Sequence, residues 1–379
     1  MSQYEPMFEL TSFRPAENCI PYIRQYYTQR IVASAMIHWS LYIGARMFWA
    51  LRQDGEHANI ARYAPWLDRL DQLCLASPRD PLDDPMGRLA AALELIYLRC
   101  ITSGAKQGYA CLRSMAPIFM QIAATDPVLW SHHSPNGISL AHALVSPTFD
   151  LGRFICMDIV ASLVFGTPPL IEYDTTHPMI DSSVKHTMEW SYGCPPEFTF
   201  LIVKINQWRA RRLDSCHEGP PPWKEMDHLI WAWRSRCDYG PDPESGRLVM
   251  RFSVQEGWRH ALLIYLYMGM YGVTSHDPRV QSSVRQISLL HAHIWSRLPP
   301  NVYFMIPLLI AGICTRSESD RLKIRSVVSA LGHQKTWLLQ GVDFALVLDH
   351  LWEGVAADGR PVRWDDYIAS RRAIVDLGA

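Results

Sequence analysis

Closely spaced cysteines are missing from this chain. It has nine, but no two lie closer than Cys100 and Cys111, which excludes every C-x-x-C metal signature. The odd count and the apolar neighbours, as in Leu73-Cys74-Leu75 and Ile155-Cys156-Met157, read as reduced, buried thiols of an intracellular protein. Charge is scarce as well, at 19% of residues, and it nearly cancels to a formal net charge of −1. A chain without a basic excess lacks the face that holding nucleic acid requires. The N-terminus MSQYEPMFEL has no basic stretch leading into an apolar run, so no secretory signal is expected there. No segment alternates apolar and polar residues over strand length, and no fixed period repeats. Gly-x-Gly-x-x-Gly loops and Gly-x-Ser-x-Gly elbows are absent too.

What is abundant is apolar residues, at 49% of the 379. That is a core-forming composition and excludes a disordered chain. The stretch Ser253–Gly272 carries no charge from Ala261 to Tyr271. A helix that is apolar all round is buried among other helices. Ser253 and Glu256 have capping-box spacing, and Gly272 suits the left-handed position that closes a helix. Such a helix is about 28 Å long, enough to cross a domain core, while its apolar part is too short for a membrane span.

The remaining chain reads as one helix after another. Ile20–Gln53 is long and aromatic-rich, and Pro65–Leu75 is short. Asp84 caps and Pro85 opens Pro85–Thr102. Lys106–Thr125, Gly137–Phe165, a helix from His177 to Trp190, Glu197–Leu213 and Trp223–Cys237 follow. Asp238–Arg247 is the expected flexible loop. Beyond the central helix come Pro278–Leu298, an apolar Asn301–Cys314 with an expected kink at Pro307, Glu318–Leu331 capped by Ser317, and Gln334–Glu353. The expected fold is all-α: one body of about a dozen helices around a buried central helix. Residues 1–19 form an extension, 20–370 the domain and 371–379 a tail.

Few residues suggest chemistry. His291 and His293 are two apart, on different helix faces, and cannot clamp one metal. His132 and His133 sit in a loop without a carboxylate or thiol nearby. Leu331–Thr336, LGHQKT, lacks the spacing of a phosphate-binding loop. Arg209, Arg211 and Arg212 read as a solvated helix C-terminus. Asp80, Asp83 and Asp84 form a carboxylate cluster, and they give an alternative reading as the Mg²⁺–diphosphate motif of an all-α isoprenoid-synthase-like enzyme. Pro81 and Pro85 place that cluster in a loop, and no second metal motif accompanies it. No cofactor or metal is therefore expected, and the chain is read as not an enzyme.

Several separated stretches do carry a likeness. Asp181–Phe200, DSSVKHTMEWSYGCPPEFTF, with its Tyr-Gly-Cys-Pro turn, resembles the regulatory domains of fungal Zn2Cys6 zinc-cluster transcription factors. Glu256–Tyr267, EGWRHALLIYLY, resembles that family's Arg-x-Ala followed by an apolar Tyr-Leu run. Ile306–Arg321 resembles its Pro-Leu-x-x-Ala-Gly segment with Glu-x-x-Arg. Val347–Trp364 is similar to its C-terminal helix and Trp-containing tail, and Ile20–Trp49 resembles the N-terminal helix of basidiomycete members.

The resemblance implies an all-α, nuclear regulatory domain that controls a DNA-binding zinc cluster. In sterol-responsive relatives this region resembles a ligand-sensing domain with a hydrophobic pocket. The chain departs from the family in having no six-cysteine cluster. Loss, trimming or function as a partner without DNA contact all remain open. The implied partners are a hydrophobic small-molecule effector and a transcriptional co-regulator or homodimer partner, with no direct nucleic-acid contact and no membrane span. From the residues themselves, the soft and aromatic side chains of Tyr265, Tyr267, Met268, Met270, Phe304 and Met305 make the candidate ligand site.

Overall fold

Asp84 accepts hydrogen bonds from the backbone N–H of Met86 and Gly87, at 3.0 and 2.9 Å, with Pro85 in the first helical position. Among the described residues, the helix it opens is one of fifteen α-helices, with almost no strand. The computed structural model describes residues 25, 28–32, 34–54, 58–75, 84–130, 137–146, 148–176, 187–213, 223–235, 245–295, 302–332 and 339–378.

Helices α1 (Ala35–Asp54) and α2 (Ala64–Leu75) lie against α3 (Pro85–Ser103), which forms an antiparallel pair with α4 (Ala105–Ala123). Gly108 permits that pairing, because a Cβ there would stand 2.1 Å from the Cys100 sulfur. A short α5 (Leu140–Leu144) precedes α6 (Phe149–Phe165), which is buried along most of its length against α3 and α4. The stretch read as one helix, Gly137–Phe165, is thus broken. Its start is instead a two-residue strand, Ile138–Ser139, paired in parallel with Tyr173–Asp174. Asp158 fixes the approach to that second strand, accepting from Leu170 N, Ile171 N and the Tyr173 hydroxyl at 2.9, 3.3 and 2.7 Å.

The second half follows with α7 (Thr187–Tyr192), α8 (Pro196–Leu213) and α9 (Trp223–Ala232). The central helix, α10, runs Ser245–Tyr265 and passes into a π-type turn over Leu266–Tyr271. It is enclosed by α8, α9, α11 (Pro278–Trp295) and α12 (Met305–Cys314). Then α13 (Glu318–Gly332), α14 (Gly341–Glu353) and α15 (Trp364–Ile374) stack in succession. The two halves are locked by α15: the Tyr367 hydroxyl donates to the Val164 carbonyl at 2.5 Å, and Ile368 packs on Gly166.

Two expectations for the centre need correction. The helix begins at Ser245, eight residues before the Ser253–Glu256 pair, so that pair is not a capping box. Ser253 instead donates to the Val249 carbonyl at 2.8 Å, the back-bond of a serine within a helix. Pro307 does not kink α12, because it falls in the first turn, where an N–H would have no helical partner. Gly272 does close the central helix, with φ of 84° and Val273 N returning to the Tyr267 carbonyl. Burial from Ala261 to Met270 is complete on every face. Among the described residues, no helix is long and apolar enough to cross a membrane.

Candidate functional site

Gly269 explains the widened turn at the end of the central helix. A Cβ there would come within 2.9 Å of the Tyr265 ring, so only glycine lets that ring lie back across the next turn. The ring is clamped on its other side by Trp364, centroids 4.6 Å apart, and its hydroxyl donates to Asn206 at 2.6 Å. Burial raises the Tyr265 hydroxyl far above its ordinary pKa, so it stays a neutral donor. π-type turns inside α-helices are rare and recur at functional sites.

Tyr267 faces a different neighbourhood. Its hydroxyl donates to Asp227, and the Arg279 guanidinium lies over its ring at 4.6 Å. The same guanidinium lies 5.5 Å from Trp223 and 5.3 Å from Tyr271, an aromatic box filled from within. Asp277 holds it there at 3.0 and 2.8 Å, and those bonds keep the Asp277 carboxyl below its usual range. Met268 accepts from the Cys314 thiol at 3.1 Å, and Met270 is buried.

Phe304 and Met305 belong to the other end of the helix. Phe304 packs on Gly257, where a Cβ would be 3.0 Å from its ring, and meets the edge of His291 at 5.8 Å. Eleven residues separate Gly257 from Met268, about 16 Å at 1.5 Å per residue. The six residues read as one site therefore fall into two groups: Phe304 with Met305, and Tyr265 with the three that the π turn holds, Tyr267, Met268 and Met270. Burial lowers His260 and His291 to about 4, which keeps both imidazoles neutral.

The stretches that carry the family likeness meet around this helix. Trp258 Nε1 donates to the Tyr192 carbonyl of the Tyr-Gly-Cys-Pro turn at 2.7 Å. Arg321, from the Glu-x-x-Arg segment, is buried and donates to the carbonyls of Thr315 and Ala356 at 3.1 and 2.7 Å. Trp352 Nε1 donates to Gly312 at 3.0 Å. Sequence reasoning missed Arg209, which was placed among solvated arginines. It reaches the Gly269 carbonyl at 3.0 Å and Asp365 at 2.6 Å, while Arg211 and Arg212 are exposed.

A small cavity of about 40 Å³ opens between α3, α4 and α6, lined by Ile96, Cys100, Tyr109, Met157, Phe165 and Tyr192 among others. It is lined by none of the six candidate residues. Burial pushes the Cys100 thiol up to about 12, so it is no nucleophile there. Asp80 and Asp83 lie outside the described residues, and Asp84 spends both carboxylate oxygens on the start of α3. Among the described residues, no three His, Cys, Asp or Glu side chains are grouped to hold a metal.

Residues 110–375, more than half of the chain, match the family model described as fungal specific transcription factor domain. Neither a curated protein nor a solved structure matches the chain.

Proposed function

The chain belongs to the fungal-specific transcription factor domain family, and we propose that it is the effector-responsive regulatory domain of a nuclear regulator, without enzymatic activity. Family membership gives it a role in transcription regulation. In the finer reading, a hydrophobic small molecule enters beside the π turn, where Met268 and Met270 yield and Tyr265 and Tyr267 supply polar tips. The domain then passes the change to a co-regulator or to a second copy, with DNA contact left to another part or protein.

The observation that carries this reading is the π turn itself. A fully buried helix has every reason to keep α-helical hydrogen bonds, and this one departs from them where its softest side chains are gathered. Methionines adapt to irregular shapes at low cost, which suits Met268 and Met270 to yielding to a ligand. Amide exchange tests it with a series of sterols, fatty acids and small aromatics. An effector that binds there slows exchange over residues 262–274. Unchanged exchange over that stretch with every compound contradicts the proposal.

A further inference from the structure

The outer face of α1 and α2 is built differently from the rest of the surface. Trp39, Tyr42, Arg46 and Trp49 are spaced i, i+3, i+7 and i+10 on α1, one exposed stripe opposite the buried Ile37, Leu41 and Phe48. Arg62, Trp66, Arg69 and Leu73 make a second exposed stripe along the 3₁₀ turn Ile60–Tyr63 and α2. The stripes join where Trp39 stacks on Trp66, centroids 6.2 Å apart, and where the Tyr63 hydroxyl meets the Arg46 carbonyl at 3.4 Å. Trp39 is 48% and Trp66 57% exposed, and their stacking makes them one contiguous patch and not scattered side chains.

The charge of this face is one-sided. Arg46 lies over Trp49, Arg62 bonds the Tyr63 hydroxyl, and Arg69 reaches Gln72. Among the described residues, none of the three is paired with a carboxylate. The acids of the same hairpin point elsewhere: Asp68 and Asp71 are both drawn to Arg99 of α3, on the opposite flank of α2. From Ala35 to Gln53, α1 carries no acid, and its one carboxylate is the terminal Asp54.

We propose that this face docks an acidic, apolar-studded helical segment of a partner protein. Trp, Tyr and Arg are the side chains that most often carry binding energy at interfaces. The apolar side of an amphipathic helix lies on the tryptophans while its carboxylates meet the three arginines. A second copy of this chain fits less well, because it would set the same arginines against each other in a two-fold contact. The face precedes residue 110, where the family match begins.

The test uses the full chain and a fluorescein-labelled peptide of about 15 residues, Leu and Phe at i, i+3, i+4 and i+7 with Asp and Glu elsewhere. A peptide with Lys in place of every acid is the control. Polarisation shows saturable binding of the acidic peptide, weakened by salt, and no comparable binding of the control. Trp39→Ala with Trp66→Ala weakens it by at least about tenfold, without changing the melting temperature. Arg46→Glu with Arg69→Glu shifts the preference toward the lysine peptide. No binding, equal binding of the two peptides, or indifference to both pairs of substitutions overturns the proposal. So does a concentration-dependent dimer that Trp66→Ala abolishes, which would make a second copy the occupant.

Discussion

Arg209 donates to the carbonyl of Gly269 at 3.0 Å, and that bond holds the last turn of the central helix. The final carbonyls of a helix have no partner within it, and a cation at that end also meets the negative pole of the helix. The other arm of Arg209 pairs with Asp365 at 2.6 Å, so a single side chain ties α8, the π turn and α15 together.

Removing that arginine is therefore costly in a specific way. Arg209→Ala leaves a buried carbonyl unpaired and destabilises by about 1–3 kcal/mol. Asp365→Asn, at an exposed carboxylate, costs about 1 kcal/mol or less. Urea denaturation of the two variants measures both. Equal losses would mean that the surface ion pair, and not the carbonyl bond, is what matters.

The α3–α4 pairing makes a second prediction. Gly108→Ala places a methyl group on the Cys100 sulfur and costs about 1–3 kcal/mol through overpacking. Cys100→Ala removes the obstacle, so the double variant is more stable than the sum of the single losses predicts. Additive losses in a denaturation cycle would show that the two side chains do not compete for this space.

Asp158 gives the stability a pH signature. Burial raises its carboxyl from 3.8 to about 6, against the opposing pull of the hydrogen bonds from Leu170, Tyr173 and Ile171. The native chain thus holds this proton more tightly than the unfolded chain does. The stability it contributes is complete below pH 3.8 and is lost as the pH rises through about 6. His260 and His291 act in the opposite sense: their native values near 4 make stability fall as the pH drops from 6.5. The readout is therefore the unfolding free energy of the native sequence minus that of Asp158→Asn. This difference falls by on the order of 2 kcal/mol from pH 4 to pH 6. A flat difference would show that Asp158 titrates normally.

The parts of the fold that a sequence can reveal are those fixed by local chemistry. Asp84 with Pro85, Ser317 with Asp320, and Gly272 each determine a helix end through residues within a few positions, and each does so here. Ser253 and Glu256 mislead for the same reason: the pattern is local, but Met250 upstream is buried in the core and carries the helix past it. Arg209 could not be placed, because its partners are 60 and 156 residues away. The aromatic and methionine content of the candidate site was legible, but its geometry was not. Tyr265 turns toward Asn206 and Tyr267 toward Asp227, and nothing in their two-residue spacing tells which groups wait there.

The central claim is an effector held at the π turn, and thermal denaturation with and without substitution tests it most directly. A native-state ligand raises the melting temperature with concentration. The account predicts such a shift for at least one compound among sterols, fatty acids and small aromatics. It also predicts that Met268→Trp abolishes the shift while the free protein stays nearly as stable, because the side chains that yield to the effector would yield to the added ring. Absence of any shift, together with a loss of about 1–3 kcal/mol in Met268→Trp from overpacking against Cys314, would contradict it.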